Sequence, residues 1–121
     1  MYRIPEDFDT SIFVGADLSQ VCFGAYMVGL EFSAAKPLSV TVQGAYIHAG
    51  PQTEGWIDEV RLPTHTSRLM QLTNHQVVDA TRLDETRLRL DFDHGQSLTL
   101  IDDTDQYESF QINTANSHWI I

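Results

Sequence analysis

Apolar and polar residues alternate in two similar stretches of the chain, from Leu18 to Val42 and from Val78 to Asp102. In the second stretch the apolar positions of the central segment are Leu88, Leu90 and Phe92. In the first stretch they are Val28, Leu30 and Phe32. Period two places successive side chains on opposite faces of a strand, whereas a helix would distribute them around its circumference. Each stretch therefore predicts three short antiparallel strands with one buried face.

The two stretches align without a gap when Leu30-Glu31-Phe32 is set against Leu90-Asp91-Phe92. This spacing predicts an internal duplication of about residues 14–48 and 74–112; the alternative is two meanders that follow the same packing rule. Asp93-His94-Gly95-Gln96 is typical of a hairpin turn, because Gly accepts a positive φ. Its counterpart, Ser33 to Pro37, is longer.

One helix is predicted between the meanders, from about Pro63 to Asn74, with Thr64 or Thr66 as its N-cap. Its apolar side would pack on the sheet. The final strand, His118 to Ile121, would pair with Phe110 to Ile112. The predicted fold is mainly β (α+β): one domain over residues 1–121, in which two related antiparallel meanders of three to four strands form a rolled sheet or a sandwich with one connecting helix.

The composition indicates one globular domain with an acidic surface. The chain has 121 residues, 42% hydrophobic and 20% charged, which is enough for a core without disulfides. Seventeen acidic residues against seven Lys and Arg give a formal net charge of -10. This charge disfavours nucleic-acid binding and would attract a cationic protein partner. The alternative is that the acidity serves solubility alone.

The sequence favours a cytoplasmic location without membrane association. Its apolar runs are shorter than the roughly 20 residues of a membrane span. The first nine residues do not have the basic and then apolar design of a secretory signal. Cys22 is the only cysteine, so an internal disulfide is excluded. We expect Cys22 to be a small filler rather than a nucleophile, because no basic neighbour lowers its pKa.

Catalytic and metal-binding patterns are weak. The sequence has no Ser nucleophile elbow and no glycine-rich phosphate loop in a strand-to-helix setting. His65 and His75, ten residues apart, do not form a metal pair. The acidic stretch from Asp102 to Glu108 lacks the turn glycine and ligand spacing of a calcium hand. The sequence therefore predicts no enzyme activity, no cofactor and no metal.

Several segments resemble a family of small bacterial domains of unknown function. They are Val14-Gly15, Gln20-Val21-Cys22 and a closing Tyr-Glu-Ser-aromatic motif, Tyr107-Glu108-Ser109-Phe110. The family has an Asp-Gly-like hairpin before this motif, and here His94 is inserted before Gly95. The resemblance spans most of the chain, and it implies no activity.

The leading functional hypothesis is a non-catalytic, acidic protein-binding module. Within this class, an immunity-type protein would cover the basic active site of a cationic toxin, with carboxylates in place of substrate phosphates. The candidate contact residues are Asp102, Asp103, Asp105, Tyr107, Glu108, Glu54, Trp56, Asp58 and Glu59. Trp56 would otherwise cover one end of the core. The Tyr107 to Ser109 segment would otherwise be a structural latch with inward hydroxyls.

Two alternatives belong to other classes. A small-molecule or peptide-binding β-domain would use the cavity of a curved sheet, lined by aromatic residues such as Phe23, Tyr26, Tyr46 or Trp56. A structural homo-oligomer would pair its edge strands, such as His118 to Ile121, across a two-fold axis. An exposed apolar patch around Trp119 and Ile121 would favour the oligomer.

Overall fold

The computed structural model describes residues 3–61, 68–103 and 109–121. Its strands are β1 (Asp17–Phe23), β2 (Val28–Ser33), β3 (Leu38–Val42), β4 (Tyr46–Ala49), β5 (Ile57–Val60), β6 (Val77–Asp84), β7 (Arg87–Phe92), β8 (Ser97–Ile101), β9 (Phe110–Thr114) and β10 (His118–Ile120). Two 3-10 helices, Thr10–Ile12 and Arg68–Leu72, precede β1 and β6. The mainly β class predicted from period two is therefore correct.

The described strands form two antiparallel five-stranded sheets that exchange hairpins. Sheet I has the order β1-β2-β3-β9-β10, and sheet II has the order β5-β4-β8-β7-β6. Each sheet contains one predicted meander, β1 to β3 or β6 to β8. The hairpin that follows each meander then adds to the other sheet, so that β4 pairs with β8 and β9 pairs with β3. This exchange ties the two halves of the chain into one sandwich-like fold.

The apolar faces of both sheets contribute to one hydrophobic core. Val28, Leu30 and Phe32 of β2 are buried, and so are Leu88, Leu90 and Phe92 of β7. Their polar neighbours alternate toward solvent, as the sequence predicted. Burying each such side chain contributes about 1.5–3 kcal/mol. Phe8 and Phe13 from the N-terminal segment also lie in this core.

Four backbone hydrogen bonds join the sheets around a single β-bridge, Asp17 to Gln76. Gly15 donates to Val77 (2.8 Å), and Asn74 donates to Leu18 (2.7 Å). The other two bonds run from Val77 to Ala16 (2.8 Å) and from Leu18 to His75 (3.0 Å). Adding 59 to a residue number in the first half gives the equivalent residue in the second half. Under this equivalence the first two bonds correspond to each other, and so do the last two. The two halves are thus related by a pseudo-two-fold axis through the bridge.

The strand registers shift the gapless alignment that the sequence suggested. Val21 pairs with Leu30 as Ala80 pairs with Leu90, so the two halves differ by 59 residues in the first strand and 60 in the second. Val40 pairs with Leu30 as Leu98 pairs with Leu90, so the difference becomes 58 in the third strand. The β2–β3 turn is therefore two residues longer than the β7–β8 turn. The internal duplication itself stays a prediction.

The predicted helix from Pro63 to Asn74 is correct only in part. Arg68–Leu72 forms a 3-10 helix, and Thr73 and Asn74 form a turn. The remainder, with both proposed N-cap threonines, lies outside the described residues. None of the helices in the described ranges has the length and hydropathy that crossing a membrane requires.

Candidate functional site

The candidate contact residues separate into two groups. Glu54 and Trp56 lie in the loop between β4 and β5, and Asp58 and Glu59 follow on β5. Asp102 and Asp103 come directly after β8, on another part of sheet II. The other three residues proposed for the acidic loop, Asp105, Tyr107 and Glu108, lie outside the described residues. The described candidates therefore cluster mainly on the β4–β5 hairpin.

Asp102 does not face solvent, contrary to its proposed role as a partner contact. Its side chain is fully buried; Arg3 Nη1 lies 2.8 Å from Oδ2, and Ser109 donates to Oδ1 at 3.2 Å. Burial alone would raise the pKa of the Asp102 carboxyl, but hydrogen bonds that include those from Arg3 and Ser109 lower it. Asp102 is thus an internal ion-pair partner. Asp103 is exposed, so it can still contact a partner.

The inward side chain of Ser109 agrees with the latch interpretation of its segment. The residue is fully buried, and its backbone N–H donates to the Ile121 carbonyl at 2.7 Å. Its carbonyl accepts from the backbone N–H groups of Gln43 and Gly44, each at 2.8 Å. Ser109 therefore connects the chain after β3, the Asp102 carboxylate and the C-terminus.

Trp56 closes one end of sheet II. Its indole lies edge-on to His48, with ring centroids 4.9 Å apart, and the Arg68 guanidinium sits over it at 4.4 Å from the ring centroid. The ring packs so closely on Gly50 that a Cβ atom there would overlap it. Arg68 Nε also lies 3.1 Å from Asp58 Oδ2. Trp56 is therefore fixed in place beside a partly neutralised carboxylate.

The rest of the hairpin carries uncompensated negative charge. Glu54 and Glu59 are exposed and have no ion pair with any described residue. Ile57 lies between them in sequence, 64% exposed, and shares a strand face with Glu59. β5 is an edge strand, so one side of its backbone has no strand partner among the described residues. The hairpin thus presents an apolar side chain, two free carboxylates and a strand edge together.

The chain's basic side chains do little to neutralise its surface. Four of the seven Lys and Arg residues, namely Arg3, Arg68, Arg87 and Arg89, pair with carboxylates of the chain itself. In the described ranges most of the other carboxylates remain unpaired. The negative charge of these carboxylates is therefore available to a partner.

A histidine cluster of His75, Asp93 and His94 lies at the end of sheet II that Trp56 closes. It was not predicted from the sequence. The rings of His75 and His94 stack with centroids 3.6 Å apart and planes 5° apart, and His75 Nδ1 lies 2.8 Å from Asp93 Oδ1. Both ring nitrogens of His94 are buried without a hydrogen-bond partner among the described residues. Burial, followed by the neighbouring His75 ring, lowers the pKa of His94. Val77 pairs with Phe92, and extending this register by two residues brings His75 opposite His94. The predicted β6–β7 pairing could therefore have indicated this contact.

The cluster has metal-ligating atoms but not a converging geometry. One ligand atom from each of His75, Asp93 and His94 lies within 4.8 Å of the others. However, the nitrogen lone pairs of the two rings lie in almost parallel, stacked planes and do not converge on one point, so one ring would have to turn before both could bind one ion. In the observed arrangement the Asp93 carboxylate orients the His75 ring. The stacked rings of His75 and His94 fill this end of the sheet.

His48 continues this polar end into the core. The residue is 1% exposed; its Nε2 lies 2.8 Å from Gln96 Oε1, and Gln96 Nε2 donates to Gln71 Oε1 at 3.0 Å. Because the Gln96 oxygen accepts, the proton of neutral His48 is on Nε2. Burial lowers the pKa of His48 and favours this neutral form.

A groove of about 470 Å³ lies at the end of sheet I, outside the candidate contact residues. Its walls come from the chain before β1, the β2–β3 turn and the β9–β10 turn. The cavity proposed earlier from Phe23, Tyr26, Tyr46 or Trp56 is not this one. Phe23 and Tyr26 are exposed at the β1–β2 hairpin, whereas Tyr46 is buried in the core, so these side chains do not line a common cavity.

At the C-terminal edge Ile121 does not contribute to a surface patch, Trp119 is half-buried and Ile120 is 37% exposed. Ile121 is buried, and the ring of Trp119 packs edge-on against Phe8 with centroids 5.1 Å apart. Pairing of β10 across a two-fold axis stays a prediction.

Comparison of the chain with protein families, with curated proteins and with solved structures gave no match.

Proposed function

We propose that this chain is a non-catalytic, acidic protein-binding module, and that the β4–β5 hairpin is its main contact surface. The observation that carries the proposal is exposed Ile57 on an edge strand, which lies in sequence between Glu54 and Glu59, two carboxylates without an ion pair to any described residue. A central apolar side chain with charged neighbours is a common arrangement at protein interfaces.

The parts of this surface would have different roles. Burying Ile57 would contribute up to about 1.5–3 kcal/mol of binding free energy. Glu54 and Glu59 would mainly raise the association rate with a cationic partner, because exposed charges steer the encounter. Trp56, held by Gly50 and Arg68, would keep the loop in a fixed conformation and reduce the entropy lost on binding.

Within this class, we propose an immunity-type role in the cytoplasm. The partner would be a cationic toxin whose basic active site is covered, with carboxylates occupying the positions of substrate phosphates. The formal charge of -10 supports this choice, because it would steer a basic protein onto the chain and repel nucleic acid. Asp103 would extend the acidic contact, whereas Asp102 would act only through the ion pair with Arg3.

The proposal is tested by capturing proteins on the tagged chain from its own source at low and high salt. The test variant is Glu54→Lys with Glu59→Lys. The matched control is Asp17→Lys with Glu31→Lys, which makes the same charge change on exposed positions of sheet I. We expect one basic protein that binds the wild type and the control at low salt and is lost from the hairpin variant. Equal capture by all three proteins would contradict the hairpin assignment.

A second candidate function, ligand binding by a β-domain, is favoured by one observation, the groove at the end of sheet I. This site is separate from the β4–β5 hairpin, so both functions are compatible with one chain.

A further inference from the structure

We propose that the groove at the end of sheet I binds a small planar aromatic carboxylate. The groove does not involve the β4–β5 hairpin, so this inference stands independently of the proposed protein contact. It follows from what fills the equivalent place in the other half of the chain, from the shape of the groove and from its charge.

The pseudo-two-fold axis places the groove opposite the histidine cluster. Ala16 is equivalent to His75, because Val77 donates to Ala16 as Leu18 donates to His75. Phe32 of β2 and Phe92 of β7 are equivalent, because they pair with the equivalent residues Leu18 and Val77. Ala34 and His94 each lie two residues after these phenylalanines and are therefore equivalent too. Both alanines line the groove. Two methyl groups therefore stand where the other half has two stacked imidazole rings.

The occupied half shows what shape this space accepts. There, His75 and His94 lie 3.6 Å apart and almost parallel, so the same elements of the fold hold flat rings in a stack. In sheet I the place equivalent to His75 is closed, because Ala16 is only 1% exposed, whereas the place equivalent to His94 is open at exposed Ala34, beside a volume of about 470 Å³. Ligand sites commonly have volumes of about 300–1,000 Å³. A planar ring system over Ala34 would take the place that the His94 ring fills in the other half.

The walls supply apolar contacts suited to such a ring. Ile12, Val14, Leu38 and Trp119 all line the groove. Val14 is 48% exposed, and a bound ring would cover it. Burial of this apolar surface would provide most of the binding free energy.

One cation selects the charge of the ligand. Lys36, the only lysine of the chain, lines the groove within the longer β2–β3 turn. Its side chain has no ion pair with any described residue, although the chain carries a net charge of -10. Asn116 in the β9–β10 turn also lines the groove and can donate its amide N–H groups. An anionic group on the ligand would pair with Lys36, whereas a cationic group would be repelled by it.

The test uses 2-naphthoate as the probe and its neutral amide, 2-naphthamide, as the matched ligand. Binding is followed through the backbone amide resonances of the two turns that line the groove. We expect saturable shifts confined to these turns, and 2-naphthamide should bind about two- to fivefold more weakly, the range that an exposed ion pair supports. In Lys36→Gln the two probes should bind equally.

Two further variants separate the groove from the rest of the surface. Ala34→Phe fills the groove and should abolish the shifts, while Ala25→Phe places the same side chain on the exposed β1–β2 turn and should leave them unchanged. A resonance spectrum of each variant without probe checks that the chain is folded. The proposal is overturned if 2-naphthoate causes no saturable shift at the groove. It is also overturned if folded Ala34→Phe binds as the wild type does, or if Lys36→Gln retains the preference for the anion.

Discussion

Gly15 and Asn74 occupy equivalent positions on the two sides of the pseudo-two-fold axis, and both have a left-handed backbone. Their φ angles are +87° and +69°. Each donates its backbone N–H across the axis, Gly15 to Val77 and Asn74 to Leu18. Both residues follow a 3-10 helix and precede the first strand of a meander. The left-handed turn therefore directs both meanders into the bridge that joins the sheets.

This relationship predicts a difference between substitutions at the two positions. Gly15→Ala should reduce the free energy of unfolding by about 1–2 kcal/mol, because a Cβ atom disfavours positive φ. Asn74→Ala should also destabilise the fold, since Asn tolerates this conformation better than Ala. Asn74→Gly is the control and should change stability by only a few tenths of a kcal/mol or increase it. Urea denaturation measures all three; wild-type stability of Gly15→Ala would refute the assigned role of the turn.

Replacing the buried Asp102 should destabilise the fold without removing a surface charge contact. Asp102→Asn weakens the bonds from Arg3 and Ser109 and should cost about 1–3 kcal/mol. The matched control is Asp103→Asn, an exposed neighbour, for which we expect a change within about 0.5 kcal/mol. Denaturation in urea compares them. Equal effects of the two substitutions would mean that Asp102 is not an internal partner.

Asp102 also predicts behaviour in acid. Its pKa is lowered in the folded state, so the folded chain binds fewer protons than the unfolded chain near the ordinary Asp pKa of 3.8. Its stabilising contribution is complete above that value and is lost as the pH falls through the lower folded pKa. The unfolding free energy of Asp102→Asn should therefore fall less steeply below about pH 4 than that of the wild type. Parallel curves would contradict the lowered pKa.

Buried His48 and half-buried His94 predict a second loss of stability at a higher pH. Burial lowers the pKa values of His48 and His94 below the ordinary His pKa of 6.5, so the unfolded chain takes up these protons first as the pH falls. Stability should fall as the pH drops through about 6.5 toward the folded pKa values. His94→Gln should show a shallower decline between about pH 7 and pH 5. The control is the difference in unfolding free energy between His94→Gln and the wild type at pH 8, where His94 is neutral in both the folded and the unfolded chain. If the variant's unfolding free energy declines with pH as steeply as that of the wild type, His94 is excluded as a contributor.

The fit of Trp56 on Gly50 predicts the consequence of a single methyl group. Gly50→Ala should displace the indole and cost about 1–3 kcal/mol, because the added Cβ overlaps the ring. Gly29→Ala is the control, since the nearest atoms to a Cβ there are 3.8 Å away. Thermal unfolding and tryptophan fluorescence report both changes. A native fluorescence spectrum and stability in Gly50→Ala would show that the ring is not held in this position.

Much of the fold could be predicted because period two determines which side chains are buried. Leu30 and Leu90 point inward as expected. The exchange of hairpins could not be predicted in this way, because the alternation in Tyr46 to His48 specifies the buried face of β4 but not the strand with which it pairs. The sequence predicted that the β2–β3 turn is longer than the β7–β8 turn, but a gapless alignment could not give the size of the difference, which is two residues.

The candidate site was less predictable because its contacts join distant parts of the chain. Asp102 reads as one of several solvated acids, since its partner Arg3 is 99 residues away in sequence. The stacking of His75 on His94 depends on extending the β6–β7 register beyond the strands. The groove depends on small side chains, and the meaning of Ala34 emerges only from comparison with His94 across the pseudo-two-fold axis.

The hairpin contact is tested most directly by the rate at which the captured basic protein associates with the wild type and with two variants, at low and high salt. The account predicts that Glu54→Lys with Glu59→Lys lowers the low-salt rate constant by about tenfold or more. High salt should largely remove this difference. Asp17→Lys with Glu31→Lys, the matched control, should retain most of the wild-type rate. Equal rates for the two variants at low salt would contradict a specific role for the β4–β5 hairpin and leave only the overall charge to explain binding.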